Sequence, residues 1–329
     1  MTKNKKPSMT PKERAVAALT MGQPDQVPTF ELGFQLSEEM FGITFNPPEL
    51  SADNIGNLSE LEKERKLNSL AEDIAHVYEA LDYAIVPGYF GAGEIKGTYI
   101  SPEKRFVFKK ILELTGGRRM IGHHADGTFS IPDGNRMYDF AYKMADDPDG
   151  LRAQAKELME HAIEKNYALA DAGVEVGLLC ADYCYNTGPF ISPGDFEVFI
   201  QPYLAKVIEE GKKAGLYMIK HTDGNIMPIL NQLAECKPHA LHSLDPMAGV
   251  DIKEVKALIG DRICLCGNVH CAAMQTGTDE EVIASAEYCL THAKPGGGYI
   301  FCTSNVPFKG LPPHRYQMVL DVWKRMRDY

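Results

Sequence analysis

The chain of 329 residues lacks several things that would have placed it quickly. No apolar run approaches the roughly 18 residues of a membrane span. There is no excess of positive charge: the net charge is −11, and no basic stripe runs against it. General binding to nucleic acid or to an anionic membrane is therefore not expected. The eight cysteines form no C-x-x-C pair, so finger-type and ribbon-type zinc sites are excluded. They do not read as a disulfide framework in a chain this long. Five of them (Cys180, Cys184, Cys264, Cys266 and Cys302) lie in or just after strand-like runs and read as small core residues. The start, "MTKNKKPSMTPKERAVAAL", is basic but has no apolar core of a secretory signal. A cytoplasmic protein is expected. No G-x-G-x-x-G follows the first strand-like run, which weakens a dinucleotide-binding fold.

What is present is rhythm. "TPKERAVAAL" predicts a helix capped by Thr10, with Pro11 in its first turn and Glu13 closing a capping box. "VPTFEL" reads as a strand, "NLSELEKERKLNSLAEDIAHVYEALDY" as a long amphipathic helix and "AIVPGYF" as a buried strand. Residues 94–131 change character: short alternating runs broken by Gly, Ser-Pro and Asp-Gly predict an inserted hairpin or meander. From about residue 146, strands and helices alternate strictly. "SPGDFEVFIQPYLAKVIEEGKKAG" reads as one helix capped by Ser192. Alternating βα units mean a parallel sheet. Two early strands and at least five later ones predict a (β/α)₈ barrel forming a single domain over residues 1–329. A doubly wound open sheet is the alternative.

In such a barrel, chemistry sits where strands end. The exits carry Glu31, then Tyr89, then Asp182 with Tyr183 and Tyr185, then His221, Asp223 and Asn225. Asp245 follows, then Asn268 and His270, and finally Thr303, Ser304 and Asn305. The strand bodies are apolar and nearly every exit is polar, a concentration that capping alone does not require. Asn225 and Asp251 also suit helix caps. Tyr183 and Tyr185 would share a side if extended, an aromatic floor for a flat ligand.

These stretches carry a resemblance. "TPKERAVAALTMGQPDQVPTFE", "TGPFISPGDFEVFIQPYLAKVIEEGKKAG", "KHTDGN", "SLDPMAGVDI", "CGNVHCAAMQTGTDEEV" and "GGGYIFCTSNVPFKGLPPHRYQMVLDV" resemble, in order, the uroporphyrinogen decarboxylase superfamily. That superfamily also holds cobalamin-dependent methyltransferases, which move methyl groups between a corrinoid protein and a thiol or other acceptor. The resemblance implies a barrel with its pocket at the strand C-termini. True uroporphyrinogen decarboxylases carry arginines after the first strand to hold propionates. Here that segment is "TFELGFQLSEEM", without arginine. They also carry a His near the last strand, where this chain has Asn305.

The thiol-activating methyltransferases are the better likeness. They bind zinc through His-x-Cys and a later Cys. Here the pair reads His221-Thr222-Asp223, and the later position aligns with Asn305. His221 and Asp223 are thus expected to hold a metal, zinc or a harder divalent ion, completed by Glu31, Asp182, Asp245 or His270. Without a metal, Asp223 would orient His221 as a proton carrier, and the plainest alternative is a polar turn. The catalytic set expected is His221, Asp223 and Asp182. Substrate contacts are expected from Glu31, Tyr89, Tyr183, Tyr185, Asn225, Asp245, Asn268, His270 and Asn305. The cobalamin would come on a corrinoid protein partner, because no Asp-x-His-x-x-Gly stretch is present. The alternatives are a decarboxylase or other lyase acting on a tetrapyrrole, and a non-catalytic corrinoid or porphyrinoid binder.

Overall fold

The structure is a computed structural model that describes residues 8–92 and 99–329. Its centre is a parallel sheet of seven strands: β1 (Ile85–Pro87), β2 (Met120–His124), β3 (Val176–Leu179), β6 (Tyr217–Thr222), β7 (Ala240–Ser243), β8 (Cys264–Val269) and β9 (Tyr299–Thr303), in that spatial order. β4 (Cys184–Tyr185) and β5 (Gly188–Pro189) form a small antiparallel hairpin after β3. Helices connect the strands, so all seven C-terminal ends lie along one edge. Among the described residues, no helix is long and apolar enough to cross a membrane.

The sheet is curled. Thr29 makes single parallel bridges to Tyr83, just before β1, and to Phe301 in β9, the two outermost strands. The expected first strand, "VPTFEL", is thus only a seam. Pro28 has no N–H to give. The Thr303 N–H, which a further strand residue would have accepted, goes instead to the Glu31 carboxyl.

Strand side chains alternate with period two. Ile85, Met120, Val176, Leu178, Ile219, Ala240, Cys264, Cys266, Ile300 and Cys302 form one buried cluster. Val86, Ile121, Leu179, Met218, Leu241, Leu265 and Phe301 belong to the other, packed against the helices. The first set fills the concave side and the second backs the sheet. Cys264, Cys266 and Cys302 are core residues, as expected.

Two further sequence expectations are corrected. The segment read as an inserted meander, in so far as it is described, supplies a helix (Pro102–Leu114) and β2 of the main sheet. Residues 94–98 lie outside the described residues. The Ser-Pro pair read as a turn is a helix start: Ser101 accepts from the Lys104 amide, with Pro102 in the first turn. The helix predicted from Ser192 is two, Pro193–Phe199 and Gln201–Lys213. They part at Ile200, because Pro202 cannot donate into the preceding turn.

Candidate functional site

β6 carries the site. Alternation sends Ile219 and His221 to the concave side and Lys220 to the back of the sheet. His221 is register partner to His242 of β7, and their Nδ1 atoms lie 2.8 Å apart. One ring must donate there and the other accept. His221 Nε2 faces two carboxylates, 3.7 Å from Asp182 Oδ1 and 3.8 Å from Asp223 Oδ1. Ligand atoms of all three residues lie within 4.8 Å of one another. Burial holds the His221 imidazole well below its usual pKa, with Asp182 opposing, so His221 is neutral near pH 7.

Asp223 is held from both sides. Ser243 Oγ donates to Oδ1 at 2.6 Å and Asn305 Nδ2 donates to Oδ2 at 2.6 Å. Burial lifts its carboxyl to about 6. Asp182 and Asp245 push the same way, against the two hydrogen bonds. Asp182 Oδ1 in turn accepts the Asp223 N–H at 3.0 Å. Ser243 has φ of 82° and Leu244 of 52°, left-handed backbone that non-glycine residues rarely adopt. The strain lies at the residue that positions Asp223.

Of the expected residues, Asp182, His221, Asp223 and Asn305 converge. Asp245 stands beside them, accepting the Gly224 N–H at 3.4 Å and capping a short turn through Met247. Asn225 is a turn former, its side chain accepting from the Met227 N–H, and Asp251 caps the helix Ile252–Ile259. Tyr89 is half exposed and lines a neighbouring cavity.

The others lie elsewhere. Glu31 points behind the sheet and binds Thr303 and Tyr316. Burial raises its carboxyl to about 8, so it is a neutral acid. Asn268 is spent on the Leu244 carbonyl and the Cys289 thiol. His270 precedes the helix Cys271–Thr276, its backbone tied to Ser285. Tyr183 is wholly buried with its hydroxyl on Thr128, whereas Tyr185 is exposed on the hairpin. The expected aromatic floor does not form: the Tyr183 ring is buried against Phe196 and Lys220, and Tyr185 stands exposed on the β4–β5 hairpin.

Sequence reasoning missed several neighbours. A cavity of about 970 Å³ opens at the same edge, lined among others by Phe34, Tyr89, His123, His124, Cys180 and Val306. Val306 follows Asn305, and Cys180 precedes Asp182 by two residues, so cavity and triad adjoin along the chain. His123 and His124 end β2, inside the misread segment. Burial takes His123 down to about 3, leaving a neutral imidazole. His242 and Ser243 were visible only as parts of an apolar run. Their role follows from strand register, which one sequence does not print.

Family comparison now adds to this geometry. Residues 133–326 match the model of the uroporphyrinogen decarboxylase (URO-D) family. The chain belongs to the uroporphyrinogen decarboxylase family. No curated protein matches it. Among solved structures, this URO-D family chain is similar to a methyltransferase from Methanosarcina mazei, with 18% identity and a TM-score of 0.70. That match covers 97% of this chain and 99% of the other, and it shows a common fold. A D-psicose 3-epimerase from Clostridium cellulolyticum H10 is more distant, with 10% identity and a TM-score of 0.42 over 82% of this chain and 92% of that one.

Proposed function

We propose that this URO-D family protein is a methyltransferase, taking a methyl group from a corrinoid protein partner to a small acceptor, with Asp182, His221 and Asp223 as its working centre. In this reading residues 1–329 act as one domain in the cytoplasm, whose reducing conditions suit eight free cysteines. The observation that carries the reading is the triad itself, three donors drawn together beside a large cavity at the C-terminal edge of the sheet.

The donor set fits a divalent ion. At 3.7 and 3.8 Å the His221 Nε2 contacts are too long for hydrogen bonds, but suit donors sharing one ion. His221 would donate Nδ1–H to His242 and present the bare Nε2 lone pair, the usual role of a second partner on a ligating histidine. Nitrogen and carboxylate oxygen favour zinc or a harder ion. Such an ion would supply the Lewis acidity that deprotonates an acceptor near neutral pH. Ser243 and Asn305 fix the Asp223 oxygens, and the low pKa of His221 keeps it from competing as a cation. Asp223, changing charge near pH 6, can release its proton to admit an ion or take one from an acceptor. Asp223 and Asn305 stand where related enzymes place thiolates, which favours an oxygen or nitrogen acceptor over a thiol.

A decarboxylase of uroporphyrinogen is disfavoured. Among the described residues the cavity lining carries two lysines, Lys104 and Lys309, and no arginine, against the substrate's eight carboxylates. The test is metal content with methyl transfer from methylcobalamin to a panel of thiol, hydroxyl and amine acceptors. We expect about one divalent ion per chain, lost in His221→Ala, and turnover with at least one acceptor that falls about 100-fold or more in that variant. A metal-free wild-type protein inert toward every acceptor would falsify the reading.

A further inference from the structure

Behind the triad lies an ion pair that the proposed chemistry does not use. Lys220, the residue before His221, is 0% exposed, and its Nζ lies 3.1 Å from Asp126 Oδ2. The same ammonium donates to the Ala181 carbonyl at 2.7 Å and the Leu179 carbonyl at 3.3 Å, and sits 4.1 Å from the centre of the Tyr183 ring. Asp126 accepts the Ala181 N–H at 2.8 Å, and its other oxygen accepts from Gly127 and from both the amide and the hydroxyl of Thr128. Thr128 Oγ1 meets the Tyr183 hydroxyl at 2.6 Å, and the Tyr183 N–H donates to Thr222 Oγ1 at 2.9 Å. The Ile131 N–H donates to the Asp182 carbonyl at 2.9 Å.

The pattern has a focus. The residues on either side of Asp182 are each bound at least twice, Ala181 through its N–H and carbonyl and Tyr183 through its N–H and hydroxyl, and the Asp182 carbonyl accepts from Ile131. The Asp182 side chain points on from this held backbone and reaches the Asp223 N–H and His221. We propose that Lys220 and Asp126 are positioning residues that aim the Asp182 carboxylate at the metal site, locking the exits of β2, β3 and β6 into one geometry. This deepens the metal-centre reading and rests on it for the identity of what is aimed at.

Physical chemistry favours this over a plain stabilising role. A buried ion pair loses so much hydration that well-packed apolar residues of like volume often serve stability as well or better. What such a pair supplies is direction, since a charge with four or five fixed partners admits one arrangement. Burial pushes the Asp126 carboxyl up, yet Lys220, the Ala181 amide and Thr128 bring it down to about 2, so Asp126 is a carboxylate at neutral pH. Supporting shells of this kind govern metal affinity by roughly 10–100-fold in other sites.

The test is the paired variant Lys220→Met/Asp126→Asn, which leaves no lone buried charge. The polar pair Lys220→Gln/Asp126→Asn, which also leaves no lone charge, serves if the first fails to fold. Two signals are read beside the melting temperature: Co2+ affinity by titration, and the amide-proton resonance of Asp223 in metal-free protein, with Asp182→Ala as reference. We expect Co2+ affinity to fall about tenfold or more, the Asp223 amide resonance to move toward its position in Asp182→Ala, and the melting temperature to hold within a few degrees. Wild-type affinity with an unmoved Asp223 amide overturns the positioning role. If wild-type protein takes up no metal, the metal reading has failed by itself. The positioning role is then decided by the amide resonance alone: movement supports it and no movement overturns it.

Discussion

At the scale of single residues, the most consequential carboxyl outside the triad is Glu31. Sequence reading placed it on the binding edge, and the structure turns it to the back of the sheet as a neutral acid with a pKa of about 8. The sign of its effect on stability follows. Between roughly pH 4.5 and 8 the unfolded chain loses the proton that the folded chain keeps, so folding weakens as pH rises through that window and levels off above it. The range amounts to a few kcal/mol, on the order of 1.4 for each pH unit spanned. Glu31→Gln, which keeps the shape, is expected to remove this slope. Its melting temperature relative to wild type should climb between pH 5 and pH 8, and parallel curves would show that Glu31 ionises in the fold. The residues that sequence did reveal (His221, Asp223, Asp182 and Asn305) are polar side chains breaking apolar runs. Ser243, His242, Lys220 and Asp126 were hidden because their meaning lies in what stands beside them after folding.

At the scale of elements, the later strands were legible, whereas β2, the seam and the way the exits pack on one another were not. Five βα units from residue 146 onward declared themselves by apolar runs and helix caps. The helix Pro102–Leu114 was hidden by a Ser-Pro pair that serves turns and helix starts equally. The β4–β5 hairpin illustrates how exits are fitted to one another. Gly224 follows Asp223 with φ of 82°, and a Cβ there would lie 2.4 Å from the Cys184 carbonyl oxygen. The hairpin therefore rests directly on the β6 exit, and the Asn225 N–H bonds the Tyr185 carbonyl. Gly224→Ala is expected to destabilise the protein by about 1–3 kcal/mol through backbone strain alone. The clash should also push hairpin and Asp223 apart. Chemical denaturation checks the first effect, and weakened metal binding at permissive temperature checks the second. Wild-type values in both would mean that the hairpin yields freely.

For the whole molecule, the α/β class and the parallel sheet followed from alternation, and the family from ordered motifs. The seam did not follow, since "VPTFEL" has strand composition and only Pro28 and the Glu31 side chain reveal why it pairs so little. β8 and β9 share five registered residue pairs and β6 and β7 share four, whereas Thr29 gives one bridge to each side. Amides that rely on the seam, Ala84 bonded to Thr29 and Phe301 bonded to Pro28, are expected to exchange with deuterium faster than those of β6 and β7. Native-state exchange followed by NMR measures this directly, and uniform protection around the sheet would contradict it.

The seam also divides labour. Leu32, Gly33 and Phe34 on one flank, Tyr89 and Phe90 on another and Val306 on the third give the cavity much of its wall, and all of them follow the loosely stitched junction. The triad hangs from β3 and β6, in the tightly laced half. Loosening of the seam would thus act first on the cavity wall, and it would reach the triad through Asn305, which joins the β9 exit to Asp223. That one amide is the bridge between a wall hung on the loose junction and a carboxyl hung on the laced half.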